Sequence, residues 1–150
     1  MKKKILPLLI SLCLGFVLHA QDVTVYNSPH NLDNTISKLY FSIDKNGFSY
    51  VNTQEYKVNQ KNGGGAGFKG RIQVISFETS YIEQLAACEP TAMLDMPFKI
   101  LVWQDGDDTF LAYTNASHLN GRYMIRGCND VINGINKSLI RVVNDAIRTH

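Results

Sequence analysis

The sequence FKILVWQDGDDTFLAYT, residues 98–114, decides the fold of this chain. Aliphatic, β-branched and aromatic residues form two runs in it, 98–103 and 109–114, and such runs are typical of strands. Asp105 and Gly106 lie between them, and an Asp-Gly pair favours the tight turn of a β-hairpin. Apolar residues occupy both alternating sets of the first run, which predicts a strand at the centre of a sheet.

Two amphipathic helices are predicted, one on each side of this hairpin. The first carries apolar residues at the i, i+3, i+4, i+7 spacing of one helix face: Ile36, Leu39, Tyr40 and Ile43. Asn31 or Asp33 can cap its start, and Gly47 can take the left-handed conformation at its end. The second follows Asn129 as its cap and carries a broad apolar stripe: Ile132, Ile135, Leu139, Val142, Val143 and Ala146. Both stripes indicate helices that pack on a sheet.

Three further strands are predicted, at residues 23–26, 48–58 and 71–77. Residues 81–96 fit two short helical turns with a break at Pro90, and residues 115–127 are predicted to form a loop. The resulting order is β-α-β-β-(short helices)-β-β-α. This order predicts an α+β fold, a two-layer sandwich in which helices cover one face of a largely antiparallel sheet of about five strands.

The first 20 residues are typical of a secretory signal peptide. Three lysines precede an apolar stretch, residues 5–18, which is shorter than the about 20 residues that cross a bilayer as a helix. Leu18 and Ala20 favour cleavage before Gln21. We therefore expect residues 21–150 to form a single domain, periplasmic or secreted, without a stable membrane anchor after cleavage.

Removal of the signal would change the charge of the chain. The full sequence has 15 Lys and Arg against 13 Asp and Glu. Three of the lysines lie in the predicted signal, so twelve basic residues remain against thirteen acidic ones, a formal charge of −1. Because neutralisation of phosphates by Lys and Arg dominates nucleic-acid affinity, we expect no nucleic-acid partner.

Cys88 and Cys128 are the cysteines that remain after the signal. An oxidising compartment favours a disulfide between them, and closing a loop of this length stabilises a fold by about 4 kcal/mol. Two separate buried thiols are the alternative, because the sequence does not place the two Cα atoms within bridging distance. A thiol-based redox or stress-response enzyme is a second interpretation of the pair, although the spacing is unlike Cys-x-x-Cys.

Several motifs resemble cofactor sites but lack the required context. Gly65, Gly67 and Gly70 match Gly-x-Gly-x-x-Gly, yet they lead into a predicted strand and not into a helix that could bind a pyrophosphate. The acidic residues around Gly106 lack the further oxygen ligands of a calcium loop. His118 lies in the predicted loop and is expected to be an ordinary surface or hydrogen-bonded histidine. We therefore predict no catalytic residue, no metal and no cofactor.

Four residues form the candidate ligand pocket: Met93, Trp103, Tyr113 and Tyr123. They are expected to gather where the sheet meets its covering segments, and such side chains line small-molecule pockets. Packing in the core is the alternative. The sequence therefore favours a non-enzymatic module that binds a small apolar or amphipathic ligand or a partner protein, with a homodimer left open.

Residues 89–105 (EPTAMLDMPFKILVWQD), followed by Tyr113 and by His118 and Leu119, resemble the signature stretch of the bacterial domain of unknown function 302 family. A weaker similarity extends across the helices at both ends. The resemblance implies a fold similar to that of the TATA-binding protein, a curved antiparallel sheet with helices on one side. It implies no DNA binding, because function belongs to the site and not to the fold. Residues 77–80 (FETS) depart from the Phe-Gly-Asn-Pro of many relatives.

Overall fold

The computed structural model describes residues 23–58 and 68–149. The predicted signal peptide lies outside these residues, as do Gly65 and Gly67. Five strands are described: β1 (Val23–Ser28), β2 (Ser49–Val58), β3 (Gly70–Glu78), β4 (Phe98–Asp105) and β5 (Asp108–Thr114). The helices of this part of the chain are α1 (Leu32–Lys45), α2 (Ile82–Cys88), a 3₁₀ helix (Pro90–Asp95), α3 (His118–Tyr123) and α4 (Asn129–Ile147). The predicted α+β order is confirmed, with α3 as an addition inside the predicted loop.

Strand β4 lies at the centre of the sheet, as its two apolar faces predict. The strand order is β1-β5-β4-β3-β2, and all neighbouring strands are antiparallel. β4 and β5 form the predicted hairpin, in which Gly106 has a φ of 61° that favours glycine. Among the described residues no helix is long and apolar enough to cross a membrane.

The register sorts the strand side chains onto two faces. Ile75, Ile100 and Tyr113 lie opposite one another on β3, β4 and β5, and all three are buried in the core against the helices. Because successive side chains on a strand point to opposite faces, Leu101 and Trp103 lie on the other side of the sheet. The helices therefore form one layer and the sheet forms the other.

Helices α1 and α4 supply most of the helical layer. α4 buries all six residues of its predicted stripe. α1 buries Ile36, Leu39 and Ile43 as predicted, but Tyr40 lies at the edge of the stripe and is 36% exposed. Its hydroxyl shares a hydrogen bond with Thr53 on β2 (Oη to Oγ1, 2.6 Å), because tyrosine can pack its ring while its polar tip meets water.

The helix ends follow local capping chemistry with one exception. Asn31 caps α1, since its Oδ1 accepts from the backbone N–H of Asn34 at 2.9 Å, and Gly47 takes a φ of 75° after the helix. Asn129 is not the cap of α4 but its first helical residue. The carbonyl of Cys128 already accepts the first helical hydrogen bond, so Cys128 occupies the cap position.

The backbone of Gly70 lies too close to a neighbouring strand to leave room for a side chain. A Cβ on this residue would lie 2.6 Å from the backbone oxygen of Gln104. Gly70 begins β3, so the glycine allows a close approach between two backbones and does not open a helix. This placement agrees with the strand that the sequence predicts after it.

Cys88 and Cys128 lie at disulfide-bonding distance, with their Cα atoms 6.2 Å apart. The bond joins the end of α2 to the residue before α4, and both cysteines pack against the hydrophobic core. Of the two alternatives left open by the sequence, the structure shows the bridged pair.

Candidate functional site

A cavity of about 320 Å³ lies where the 3₁₀ helix and α3 meet the adjoining ends of β4 and β5. Its walls are formed by Leu94, Asp95, Pro97, Phe98, Lys99, Thr114, His118 and Arg122. The volume is at the lower end of the range for small-molecule pockets, and the lining mixes apolar and charged side chains.

The 3₁₀ helix places Asp95 at the cavity. Pro90 begins this helix, where a missing N–H costs nothing, and Glu89 caps it by accepting from the backbone N–H (3.1 Å) and the hydroxyl (2.6 Å) of Thr91. These hydrogen bonds hold the pKa of the Glu89 carboxyl below its usual range. Ala92 is fully buried and anchors the turn, so Asp95 at its end faces α3.

A polar turn at Asn115 starts α3 and orients His118. The side chain of Asn115 accepts from the backbone N–H of Ser117 at 2.9 Å. Asn136 on α4 holds the same turn, because its Oδ1 accepts from the N–H of Ala116 (2.7 Å) and its Nδ2 donates to Ser117 Oγ (2.8 Å). Leu119 is fully buried, which fixes the opposite side of α3. His118 thus stands on a short helix that is tied to the body of the protein.

His118, Asp95 and Arg122 form a connected charged cluster. His118 Nδ1 lies 2.7 Å from the carbonyl oxygen of Asn115, and His118 Nε2 lies 3.2 Å from Asp95 Oδ2. Arg122 Nη1 lies 3.0 Å from Asp95 Oδ1. Both ring nitrogens therefore face an acceptor oxygen. The His118 and Asp95 side chains are only 16% and 17% exposed, whereas Arg122 is 62% exposed and reaches the cavity mouth.

Two further groups complete the electrostatics of the cavity. The Lys99 ammonium donates to the carbonyl oxygen of Pro97 at 3.0 Å. The guanidinium of Arg122 lies 5.5 Å from the centre of the Tyr123 ring, within the range of a cation–π contact. Burial raises the pKa of the Tyr123 hydroxyl, and the nearby Arg122 charge acts in the opposite direction. Among the described lining residues, the two cations Lys99 and Arg122 outnumber the one carboxylate, Asp95, which suits an anionic group.

The structure divides the four predicted pocket residues between the two faces of the sheet. Tyr113 is buried in the helix-side core, 6.2 Å from the ring of Tyr26. Trp103 lies on the other face and stacks on Phe110 at 5.2 Å. The reason is the register: Tyr113 pairs with Ile100, which is three positions from Trp103 and so points the opposite way.

Met93 and Tyr123 lie nearer to the cavity. Met93 is partly buried on the 3₁₀ helix, and Tyr123 ends α3 and packs against the core. Neither is among the residues that form the cavity wall, whose members are their sequence neighbours. The expectation that all four residues gather at one pocket is therefore corrected.

The cluster was not predicted, because its members are far apart in the sequence. Asp95 lies 23 residues before His118, and no local pattern joins them. His118 and Arg122 are four residues apart, which places them on the same side of a helix. In a predicted helix over residues 118–123, this spacing would indicate that the two side chains lie close together. Within the described ranges no group of three His, Cys, Asp or Glu side chains is arranged to hold a metal ion.

Fold and site together define a two-layer α+β protein with a small, cation-lined cavity at one end of its sheet. The chain belongs to the family described as Domain of unknown function DUF302, whose family model matches residues 24–145. This result confirms the resemblance noted in the sequence.

The fold is shared with a solved structure, "Crystal structure of uncharacterized conserved protein DUF302 from Bacillus stearothermophilus". The TM-score is 0.70 and the sequence identity is 18%, over 86% of this chain and 100% of that chain. At this identity the likeness establishes the fold alone. No curated protein matches this sequence.

Proposed function

We propose that this protein is a binding module outside the cytoplasm that takes a small amphipathic anion in the cavity between the 3₁₀ helix and α3. The observation that carries the proposal is the cavity wall, whose described residues include the cations Lys99 and Arg122 and one carboxylate, Asp95. The apolar part of the ligand would lie against Leu94 and Phe98, and its anionic end would meet the cations.

The internal contacts of the cluster support an anionic ligand. Both oxygens of Asp95 are engaged, one by His118 and the other by Arg122, so its charge is compensated within the protein. Arg122 has five N–H donors and uses one of its terminal nitrogens on Asp95, which leaves donors that can bind a carboxylate or phosphate. Lys99 adds a second cation at the same cavity.

The same contacts favour binding over catalysis. A general base needs an unshared lone pair that reaches the reacting proton. His118 has one ring nitrogen against the Asn115 carbonyl and the other against Asp95, so both nitrogens are occupied by positioning contacts. We therefore assign His118 to holding Asp95 and Arg122 in place.

The location outside the cytoplasm is part of the proposal. It is supported by the leader-like sequence of residues 1–20 and by the Cys88–Cys128 bond, which suits an oxidising compartment. Mass spectrometry of the protein from fractionated cells should give an N-terminus at Gln21 and recovery outside the cytoplasm. Recovery of the uncleaved chain in the cytoplasm would contradict it.

The cavity is tested by titration with hexanoate, followed by amide chemical shifts in NMR. Hexanamide is the matched control, since it has the same chain and no charge. We expect hexanoate to shift the amides around Asp95, Lys99 and His118 and hexanamide to leave them unchanged. Arg122→Gln should weaken hexanoate binding about tenfold, the equivalent of about 1.4 kcal/mol for a charge-assisted contact.

Lys137→Gln provides the control for a general loss of positive charge, because Lys137 is exposed on α4. It should bind hexanoate like the wild type. Equal responses to hexanoate and hexanamide, or equal losses in the two variants, would refute an anion site in this cavity.

A further inference from the structure

The face of the sheet that points away from the helices is apolar at its centre. We call this surface the open face and define it by six residues: Val25, Ile72, Val74, Leu101, Trp103 and Phe110. In the described part of the chain none of these six packs against the helix-side core. Val25 is 54% exposed and the other five are partly exposed.

The register joins these side chains into two continuous rows across the sheet. One row runs Tyr56–Ile72–Trp103–Phe110 over β2, β3, β4 and β5. The next runs Val74–Leu101–Ala112–Val25 over β3, β4, β5 and β1. The Trp103 and Phe110 rings stack at the centre. Since contiguous exposed apolar surface is unusual on a monomer, a covering partner is indicated.

The dimensions of the open face suit a symmetric protein interface. Five strands about 4.8 Å apart, each paired over about 20 Å, give roughly 500 Å² per copy, and two copies would bury roughly 1,000 Å². That area is the lower limit for a specific interface. The apolar centre, with a large aromatic residue in it and charges at the margin, is the usual anatomy of such interfaces.

The charges on this side of the sheet lie at its two ends. On β4, Lys99 and Asp105 belong to the same alternating set as Trp103 and are about 20 Å apart. Asp108 lies beside Asp105 on β5, in the same set as Phe110. On β4 itself one end is therefore positive and the other is acidic, while the exposed Glu78 on β3 lies on the same face at the Lys99 end.

Two stacked sheets can be related by a twofold axis that runs along the strands or across them. A twofold axis along the strands would place Asp105 over Asp105 of the second copy. Repulsion between these like charges disfavours this arrangement. A twofold axis across the strands places each strand over the same strand of the second copy, with the two running in opposite directions. Lys99 then faces Asp105 of the second copy. The charge pattern thus matches a second copy in one orientation.

We infer that the open face is a homodimer interface, in which two sheets stack face to face with their central strands antiparallel. Each Trp103 packs at the centre of the interface, and two Lys99–Asp105 pairs close its ends. This interface uses the side of the sheet that faces away from the core, and its test does not depend on a ligand.

The test is sedimentation velocity of the purified protein over a range of concentrations. We expect a dimer at micromolar concentration. Trp103→Glu should raise the dimer dissociation constant at least about 30-fold, as for a central interface residue. Val25→Glu, at an exposed position on the edge strand, is a second variant that disturbs the fold less. Phe41→Glu is the matched control, because Phe41 is 70% exposed on α1.

Orientation is tested by charge exchange. Lys99→Asp and Asp105→Lys should each weaken association, and the double variant should restore it. The chain has a single tryptophan, so its emission should shift to longer wavelength on dilution as Trp103 becomes hydrated. A wild-type monomer at all concentrations, a dimer broken by Phe41→Glu but not by Val25→Glu, or a double variant weaker than both single variants would overturn the inference.

Discussion

Asp95 is the residue on which the cavity depends, because it binds His118 and Arg122 at the same time. It is the only carboxylate among the described residues of the cavity wall, and it is largely buried. The contacts are charge-assisted hydrogen bonds, which contribute more than neutral ones. An amide in its place would keep one acceptor oxygen and would turn an NH2 group towards the other donor.

We predict that Asp95→Asn lowers the free energy of unfolding by about 1–3 kcal/mol, the cost of leaving one donor of the cluster without an acceptor. Urea unfolding of the variant measures this difference. Asp107→Asn, in the exposed hairpin turn, is the control and should change stability little. An Asp95→Asn variant as stable as the control would mean that the cluster does not hold α3 in place.

Tyr113 gives the protein a sensitivity to alkali. Burial is the main cause that raises the pKa of Tyr113, from 10.0 to about 12. The folded state therefore keeps the proton that the unfolded state loses above pH 10. The contribution of this group to stability is complete below pH 10 and is lost as the pH rises towards about 12.

Tyr113→Phe keeps the ring and removes the titrating hydroxyl. We predict that the unfolding free energy of this variant falls less steeply between pH 10 and 12 than that of the wild type. Tyr56→Phe, at an exposed position on β2, is the control and should retain the wild-type slope. Parallel curves for Tyr113→Phe and the wild type would show that Tyr113 does not cause the alkaline loss.

Among the helices, α2 and α4 are joined covalently by Cys88 and Cys128, which are 40 residues apart in the sequence. The segment that the bond closes contains the 3₁₀ helix, the β4–β5 hairpin and α3. Constraining such a loop in the unfolded chain stabilises the folded state by about 4 kcal/mol. A structural role for the bond follows from this position.

We predict that the double variant Cys88→Ser, Cys128→Ser is less stable than the wild type by about 4 kcal/mol in the chain-entropy model. Urea unfolding should also show that a reductant destabilises the wild type and leaves the double variant unchanged. A thiol-exchange activity that disappears in a stably folded double variant would favour the redox interpretation instead.

The sequence predicts those elements whose signal is local. α4 shows its full apolar stripe, and the β4–β5 hairpin shows its turn residues, so both follow from spacing alone. The sequence predicts a loop where α3 lies, and the structure shows that this short helix contains Gly121 and only one buried residue, Leu119. It is stabilised instead by hydrogen bonds from Asn136 on α4, a long-range contact that no local pattern reveals.

The candidate site was less predictable than the fold for the same reason. Residue type alone predicts that the aromatic residues share one pocket, whereas the register places Trp103 and Tyr113 on opposite faces of the sheet. The charged cluster joins three residues from two separate helices. A site of this kind depends on tertiary contacts, whereas the strand and helix patterns depend on neighbours in the sequence.

The molecule as a whole has one covered and one uncovered side of its sheet in the part that the structure describes. α1 and α4 pack together on the covered side, where Ser42 Oγ donates to the carbonyl of Val142 in the buried contact between them (2.9 Å). At the end of α1, Lys45 pairs with Asp145 at 3.1 Å. The helix layer is therefore closed on itself, and association through the open face does not require it to move.

Association of two copies would couple stability to protein concentration. If only the folded chain pairs, mass action raises the melting temperature as concentration increases. We predict this dependence for the wild type and its absence for Trp103→Glu, measured by thermal unfolding over a hundredfold range of concentration. A wild-type melting temperature that is independent of concentration would speak against the homodimer.

Lys99 belongs both to the cavity wall and to the margin of the open face. The ammonium group of Lys99 cannot bind an anion in the cavity and pair fully with a carboxylate of the neighbouring copy at the same time. Anion binding and dimerisation therefore compete for this group. By thermodynamic linkage the two effects are equal in size. If a bound anion weakens dimerisation by a given factor, dimerisation weakens anion binding by the same factor. The intrinsic affinity of the cavity is consequently the affinity measured in dilute solution.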